Sequence, residues 1–331
     1  MTTGTMTAAV QHELNGLAGL RVEHHVPVPV LDSADGVLIE VQVCGVTFPD
    51  TLLLRGEYQI KPPLPLSPGF EVSGVVAQAG AQTSFSPGDR VTAFLPSAGG
   101  LAQHVVANAA TTYPLADEVD FLTGAVLPIN YHTAHFALAL RARLVPGETV
   151  LVHGAAGGLG VACIQIAKAL GADVVAVVST DAKAQTATAA GADAVVRVDE
   201  DWVAAASALR PGGYEVVLDP VGEDRLSDSM RITAPDGRLV VLGFAGGSIP
   251  EIKVNRVMFR NVDIVGAAYG AYIEKRPEVA GQTAAAVDEF VRSGRFQPPI
   301  GHRFSLEDAV EAVALVEHRQ AVGKVVVDVA G

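Results

Sequence analysis

The hydrophobic pattern changes character about a third of the way along the chain. Before that point, apolar residues form short runs, Val37–Val43, Val72–Val76 and Arg90–Phe94, separated by turn-forming clusters at Pro62–Gly69 and Ser86–Gly88. Such runs predict a β-rich domain of irregular strands. From about Gly124 an apolar helix through Leu138 opens an alternation of strands and helices. Strands are expected at Thr149–Val152, Val174–Val178, Ala194–Val198, Glu215–Leu218, Arg238–Leu242 and Val262–Val265, with helices at Val161–Leu170 and Ala182–Ala190. That order is the signature of a parallel sheet with crossover helices. Two further helices, near Val279–Ser293 and Leu306–Glu317, precede a strand-like run, Lys324–Val329, which the β-rich domain can recruit. The expected fold is α/β, with a β-rich domain over residues 1–124 and 267–331 and a doubly wound domain over residues 125–266. Its 331 residues exceed what one simple core organises.

One segment carries candidate chemistry. The stretch His153-Gly154-Ala155-Ala156-Gly157-Gly158-Leu159-Gly160 lies between an expected strand and an expected helix. Gly154, Gly157 and Gly160 have the spacing of a dinucleotide fingerprint, which needs a tight turn, then close backbone approach to a pyrophosphate, then close helix-on-strand packing. Unpaired N–H groups at the helix start would meet the phosphates. Glycines alone more often mark an ordinary turn; the ordered strand, helix and second strand make this a nucleotide site.

Composition narrows the partners. Hydrophobic residues make up 49% and charged residues 18%, and every apolar run is interrupted before the roughly 18 residues that would span a bilayer. Net charge of −13 disfavours a phosphate-binding nucleic-acid surface. The start of the chain has neither a basic end nor an apolar stretch of secretory type, so a cytoplasmic protein is expected. Cys44 and Cys163 stand apart in apolar sequence, which points to buried thiols rather than disulfides.

Four segments together resemble the medium-chain dehydrogenase/reductase superfamily, in its zinc-independent, zeta-crystallin-like quinone oxidoreductase branch. They are Cys44-Gly45-Val46-Thr47-Phe48-Pro49-Asp50, Pro68-Gly69-Phe70-Glu71-Val72-Ser73-Gly74, the fingerprint, and Leu242-Gly243-Phe244-Ala245-Gly246-Gly247 with Ile249-Pro250. The resemblance implies a GroES-like β-rich catalytic domain, a Rossmann nucleotide-binding domain and a homodimer with the strand around Val262–Val265 as the contact. Zinc-dependent relatives hold their metal through a cysteine, a histidine and a third thiol or carboxylate. Thr47 and Phe70 stand at the first two positions, Leu127–Thr133 offers no thiol or carboxylate, and two cysteines cannot supply a four-thiolate structural site, so no metal is expected.

What remains is hydride transfer from a reduced nicotinamide to an electron-poor acceptor. By the resemblance, Thr47, Tyr58 and Tyr131 border the acceptor, although each tyrosine is equally a packed aromatic with a satisfied hydroxyl. The family usually has asparagine at Thr47, so acceptor preference is open here. After the second strand, an acidic residue would bind the ribose of NAD; Ser179 and Lys183 stand there instead, which favours NADPH. Asp181 dissents, or caps the next helix, and Arg197 either assists or is a solvated surface residue. Ala156, Gly157, Gly158, Leu159 and Gly160 are the expected pyrophosphate contacts, and by family analogy Thr133, Gly243 and Phe244 face the nicotinamide. A turn at Gly246-Gly247 would explain that last loop without a ligand. The expected activity is NADPH-dependent reduction of a small quinone or quinone-like enone. The alternatives are an enoyl or 2-alkenal reductase and a non-enzymatic nucleotide-binding structural protein.

Overall fold

The chain begins with an antiparallel pair, β1 (Thr5–Gln11) and β2 (Leu20–Pro27). Next come β3 (Gly36–Val46), helix α1 (Phe48–Leu54), β4 (Glu71–Ala79), β5 (Arg90–Phe94), β6 (His104–Asn108), β7 (Thr112–Pro114) and the short α2 (Phe121–Gly124). The central stretch alternates: α3 (His132–His135), β8 (Thr149–His153), α4 (Gly158–Ala169), β9 (Asp173–Val178), α5 (Asp181–Ala189), β10 (Ala194–Arg197) and α6 (Trp202–Leu209). It continues with β11 (Tyr214–Asp219), α7 (Arg225–Ile232), β12 (Thr233–Val241), α8 (Val254–Arg260), β13 (Asp263–Gly266) and α9 (Tyr269–Lys275). The tail holds α10 (Pro277–Arg292), β14 (Ile300–Ser305), α11 (Ala309–Glu317) and β15 (Lys324–Asp328). This computed structural model describes residues 4–199 and 201–330. Two units are resolved, Met1–Ile129 with Arg276–Gly331, and Asn130–Lys275. The boundaries expected at residues 124 and 266 fall at the ends of α2 and β13.

In the first unit the strands run in the order β14-β15-β3-β4-β5-β7, with β6 also paired to β3. The tail does supply a strand: β15 lies antiparallel to β3, Val325 opposite Val46 and Val327 opposite Cys44. Val325, Val326 and Val327 are all at most 1% exposed. Burying each contributes on the order of 1.5–3 kcal/mol, which fastens the end of the chain to its beginning. The β1–β2 pair had no clear sequence signal, because Glu23, His24 and His25 break the alternation of β2. Neighbouring segments hold β1 instead: Ala9 N donates to Leu101 O and Gln11 N to Leu66 O.

In the second unit all six strands are parallel, in the order β10-β9-β8-β11-β12-β13. The direction of winding reverses between β8 and β11, the place where open α/β sheets bind ligands beyond the carboxyl ends of their strands. Every residue of β8 is buried, as expected of a strand covered on both faces. The single helix expected through Leu138 is broken. It comprises α2, a π-helical turn at Leu127–Tyr131, α3 and a second π-helical turn at Phe136–Arg141. Pro128 has no N–H to donate, so a regular helical ladder cannot run through it.

Candidate active site

The nucleotide half of the site is built at the carboxyl end of β8. The chain turns at Gly154, whose φ of 58° lies in the left-handed region that glycine adopts without strain. Gly157 N donates to Gly154 O, and α4 begins at Gly157 as its N-cap. The first helical N–H groups, on Gly158, Leu159 and Gly160, have no acceptor within the helix. Beside them the backbone is bare: a Cβ on Gly157 would meet only Gly154 O, at 3.7 Å. A Cβ on Gly160 would instead lie 2.2 Å from Gly154 O and 2.7 Å from Ala155 Cα. Gly157 thus leaves a space that a ligand can enter, whereas Gly160 lets the helix touch the turn. The space and the free N–H groups suit a pyrophosphate, so Ala156, Gly157, Gly158, Leu159 and Gly160 fit the group the fingerprint implies.

The turn after β11 lies against this one, since a Cβ on Gly154 would be 3.2 Å from Val221. Asp219, fully buried, closes that turn: its Oδ1 accepts from Val221 N and Gly222 N, both at 2.9 Å. Ala245 N and Gly246 N donate to Pro220 O and Val221 O, which holds the Gly243–Phe244 loop on the same turn. Phe244 remains 39% exposed there, so Gly243 and Phe244 are brought beside the fingerprint; Thr133 lies half-buried in α3. Tyr131 is nearly fully buried. Its hydroxyl donates to Gln165 Oε1 at 2.5 Å, and burial pushes its pKa up, which spends the proton inside the unit.

At the ends of β9 and β10, Ser179, Lys183 and Arg197 converge. Lys183 Nζ donates to Ser179 Oγ at 3.3 Å, and among the described residues it pairs with no carboxylate. Arg197 donates to Asp181, to Ser179 O at 3.1 Å and to Asp199 Oδ2 at 2.8 Å. Two carboxylates therefore hold Arg197, and it is not a solvated surface residue. Asp181 does not cap α5; Thr180 is the N-cap, its Oγ1 accepting from Lys183 N, and Asp181 in the first turn pairs with Arg197. The open cation of the group is Lys183.

The first unit holds the other expected residues. Thr47 caps α1 and is 5% exposed; its N–H and its hydroxyl both donate to Asp50 Oδ2 at 2.7 Å. Asp50 Oδ1 accepts from Gly69 N at 2.6 Å. Tyr58, half-buried, packs edge-on against Phe70, and burial raises its pKa. Phe70 thus makes an aromatic contact with Tyr58. Behind Thr47, Lys324 Nζ lies 2.5 Å from Glu71 Oε1 and donates to Val46 O at 3.0 Å, while Glu71 Oε2 accepts from Ile129 N at 2.7 Å. The sequence reading passed over Asp50, Glu71 and Lys324. The signal was present in Lys324, a lone charge at the head of the apolar run Val325–Val327.

Comparison with known proteins agrees with the fold. A family model described as zinc-binding dehydrogenase matches residues 158–285, and one described as alcohol dehydrogenase GroES-like domain matches residues 33–117. The cattle protein named quinone oxidoreductase-like protein 2 is 36% identical over 92% of this chain and 88% of its own length. Mouse quinone oxidoreductase is 34% identical over 94% of this chain and 95% of its own. A mycobacterial structure solved with NADPH superposes with a TM-score of 0.89 at 31% identity, covering 98% of this chain and 100% of that one. The fold and the site define a nicotinamide-nucleotide oxidoreductase with a GroES-like domain and a Rossmann domain. The chain belongs to the medium-chain dehydrogenase/reductase superfamily, among the quinone oxidoreductase-like proteins.

Proposed function

We propose that the protein is an NADPH-dependent, zinc-independent reductase of small quinones or quinone-like enones, acting in the cytoplasm. The observation that carries this reading is the open space at Gly157, set in the same unit as the uncompensated Lys183 ammonium beside Ser179. Bound NADPH supplies the hydride. The N–H groups of Gly158, Leu159 and Gly160 hold its pyrophosphate, Ser179 and Lys183 its 2′-phosphate, and the Gly243–Phe244 loop its nicotinamide end. Thr47 and Tyr58 orient the acceptor oxygen. No Lewis acid is part of the reading, because Thr47 and Phe70 occupy ligand positions with side chains that do not bind zinc. An acceptor that spreads the arriving negative charge over its own conjugated system fits such a site better than a simple ketone.

The test is NADPH oxidation in the presence of a chelator, over quinones, 2-alkenals and enoyl thioesters, with NADH as control. Rapid reduction of a benzo- or naphthoquinone with negligible oxidation of simple alcohols is the expected result. Enoyl thioester turnover without quinone turnover would replace the reading, and binding without any turnover would point to a structural role. For coenzyme choice, Lys183→Glu is expected to weaken NADPH binding by about 1.5–3 kcal/mol, ten- to a hundredfold, because one charge-assisted contact is lost. Calorimetric titration of both coenzymes checks this, and equal affinity of the wild type for NADH and NADPH would sink it.

The same proposal includes a homodimer formed through the second unit. Among the described residues β13 pairs with β12 alone, which leaves it an edge, and α8 before it exposes Val254, Met258 and Phe259 by 74%, 62% and 76%. Such an apolar edge is a liability unless covered, and a two-fold copy covers both the strand and the helix. Light scattering at micromolar protein is expected to give twice the chain mass of 34.2 kDa. Phe259→Glu should shift it to the monomer.

A further inference from the structure

Among its described residues, the first unit buries two carboxyl groups, Asp50 and Glu71, each 0% exposed, with a single ammonium, Lys324, at 5%. Lys324 is committed: it contacts Glu71 at 2.5 Å and Val46 O at 3.0 Å. Among the described residues Asp50 makes no ion pair, and the Lys324 charge reaches it only as the last of the causes that lower its pKa. Its partners are neutral, namely Gly69 N, Thr47 N and the Thr47 hydroxyl. The other groups whose charge reaches this cluster are the Cys44 thiol and the Tyr58 phenol, both neutral acids whose pKa burial raises. Two carboxylates around one ammonium would leave a net negative charge out of water, which is costly. A proton on one of them removes that cost, and Asp50 is the one without an ion-pair partner. Burial raises its pKa as the leading cause, against three hydrogen bonds and the more distant Lys324 charge, which lower it.

The state of Asp50 decides what Thr47 can do. A threonine hydroxyl has one proton. With Asp50 ionised, that proton is spent on Oδ2 and Thr47 offers only lone pairs. With Asp50 protonated, the 2.7 Å contact keeps its length with the roles reversed, and the Thr47 proton becomes free. We propose that Asp50 stores the proton taken up by the reduced acceptor and delivers it through the Thr47 hydroxyl. The inference rests on the reading of Thr47 as a residue facing the acceptor. The two electrons arrive with the hydride from the reduced nicotinamide. As the acceptor oxygen gains negative charge, it takes the Thr47 proton, and Thr47 Oγ takes the Asp50 proton. The Asp50 O–H bond breaks, an O–H bond forms on the product, and Asp50 is left as a carboxylate held by Gly69 N, Thr47 N and the Thr47 hydroxyl. Water reprotonates it after product leaves.

The experiment combines infrared difference spectroscopy with kinetics on the full chain. At neutral pH the wild type is expected to show the carbonyl band of a protonated carboxyl group that Asp50→Asn lacks. With NADPH and a 1,4-naphthoquinone, Asp50→Asn and Thr47→Val should both lower kcat, by about 10²-fold for loss of a general acid, without weakening NADPH binding. Thr47→Val leaves Asp50 in place and should keep the infrared band, which separates the relay from a folding defect. Because the protonated form is the donor, wild-type kcat should hold toward acid and fall as pH rises through the raised Asp50 titration. Thr47→Ser should keep that decline and Asp50→Asn should lose it. Absence of the band in the wild type, or an unchanged kcat and pH profile in Asp50→Asn, overturns the relay. The same series with a 2-alkenal separates the two readings. Alkenal turnover with the same losses removes the quinone assignment and upholds the relay, and equal quinone turnover by all variants does the reverse.

Discussion

Gly157→Val is expected to abolish NADPH binding, by more than about a hundredfold in affinity, while the protein stays folded. The residue has φ −81° and ψ 170°, an extended conformation that valine adopts readily, and its Cβ would meet only Gly154 O at 3.7 Å. The new Cβ therefore makes only ordinary contact with the protein, and the side chain enters the space that the pyrophosphate needs, so the phosphate contacts are lost together; losing two charge-assisted hydrogen bonds at about 1.5–3 kcal/mol each suffices for that factor. Gly160→Ala is the contrasting variant. Its Cβ would press on backbone atoms at 2.2 and 2.7 Å, so α4 must move off the β8 turn, at about 1–3 kcal/mol or more for overpacking. Calorimetric titration and thermal melts should separate the two, with Gly157→Val failing the first and Gly160→Ala the second. Unchanged NADPH affinity in Gly157→Val would remove the nucleotide site from this turn.

Lys324→Met should destabilise the first unit by about 3–5 kcal/mol, because it leaves Glu71 buried without its partner. Glu71 cannot turn to water: it is 0% exposed, and Gly45 is a glycine because a Cβ there would lie 2.6 Å from Glu71 Oε1. The carboxyl must instead take a proton. Its folded pKa, already raised by burial, rises further once the ammonium that lowers it is gone. The folded state then binds the proton more tightly than the unfolded state does, so the variant loses least stability in acid and progressively more as pH rises above the ordinary carboxyl range. Urea unfolding at several pH values checks this. Lys324→Met combined with Glu71→Gln should recover part of the loss, because the uncompensated charge is gone. A double variant no more stable than the single one would show that the charge is not what Lys324 offsets.

The parallel sheet was legible because its strands are covered on both faces, and continuous apolar runs such as Thr149–Val152 and Val174–Val178 have no other use. The fingerprint was legible for a related reason: glycine spacing between a strand and a helix is a local pattern, and the turn it specifies is made by neighbours in sequence. Thr180 and Asp181 show the limit of local reading, since either can cap a helix, and only the position of Arg197 drew Asp181 into an ion pair. β1 was silent because segments distant in sequence hold it, and β2 because it pairs with β1.

By itself, then, the sequence determined the class of fold and the glycine turn between β8 and α4, both written in runs of adjacent residues. Tertiary structure alone decided which charges meet. Lys324 reaches Glu71 only because β15 lies beside β3, and Tyr131 loses its free hydroxyl only because α4 brings Gln165 to it. A buried charge or hydroxyl takes its chemistry from partners within a few ångströms, and the sheet, not the spacing along the chain, supplies those partners.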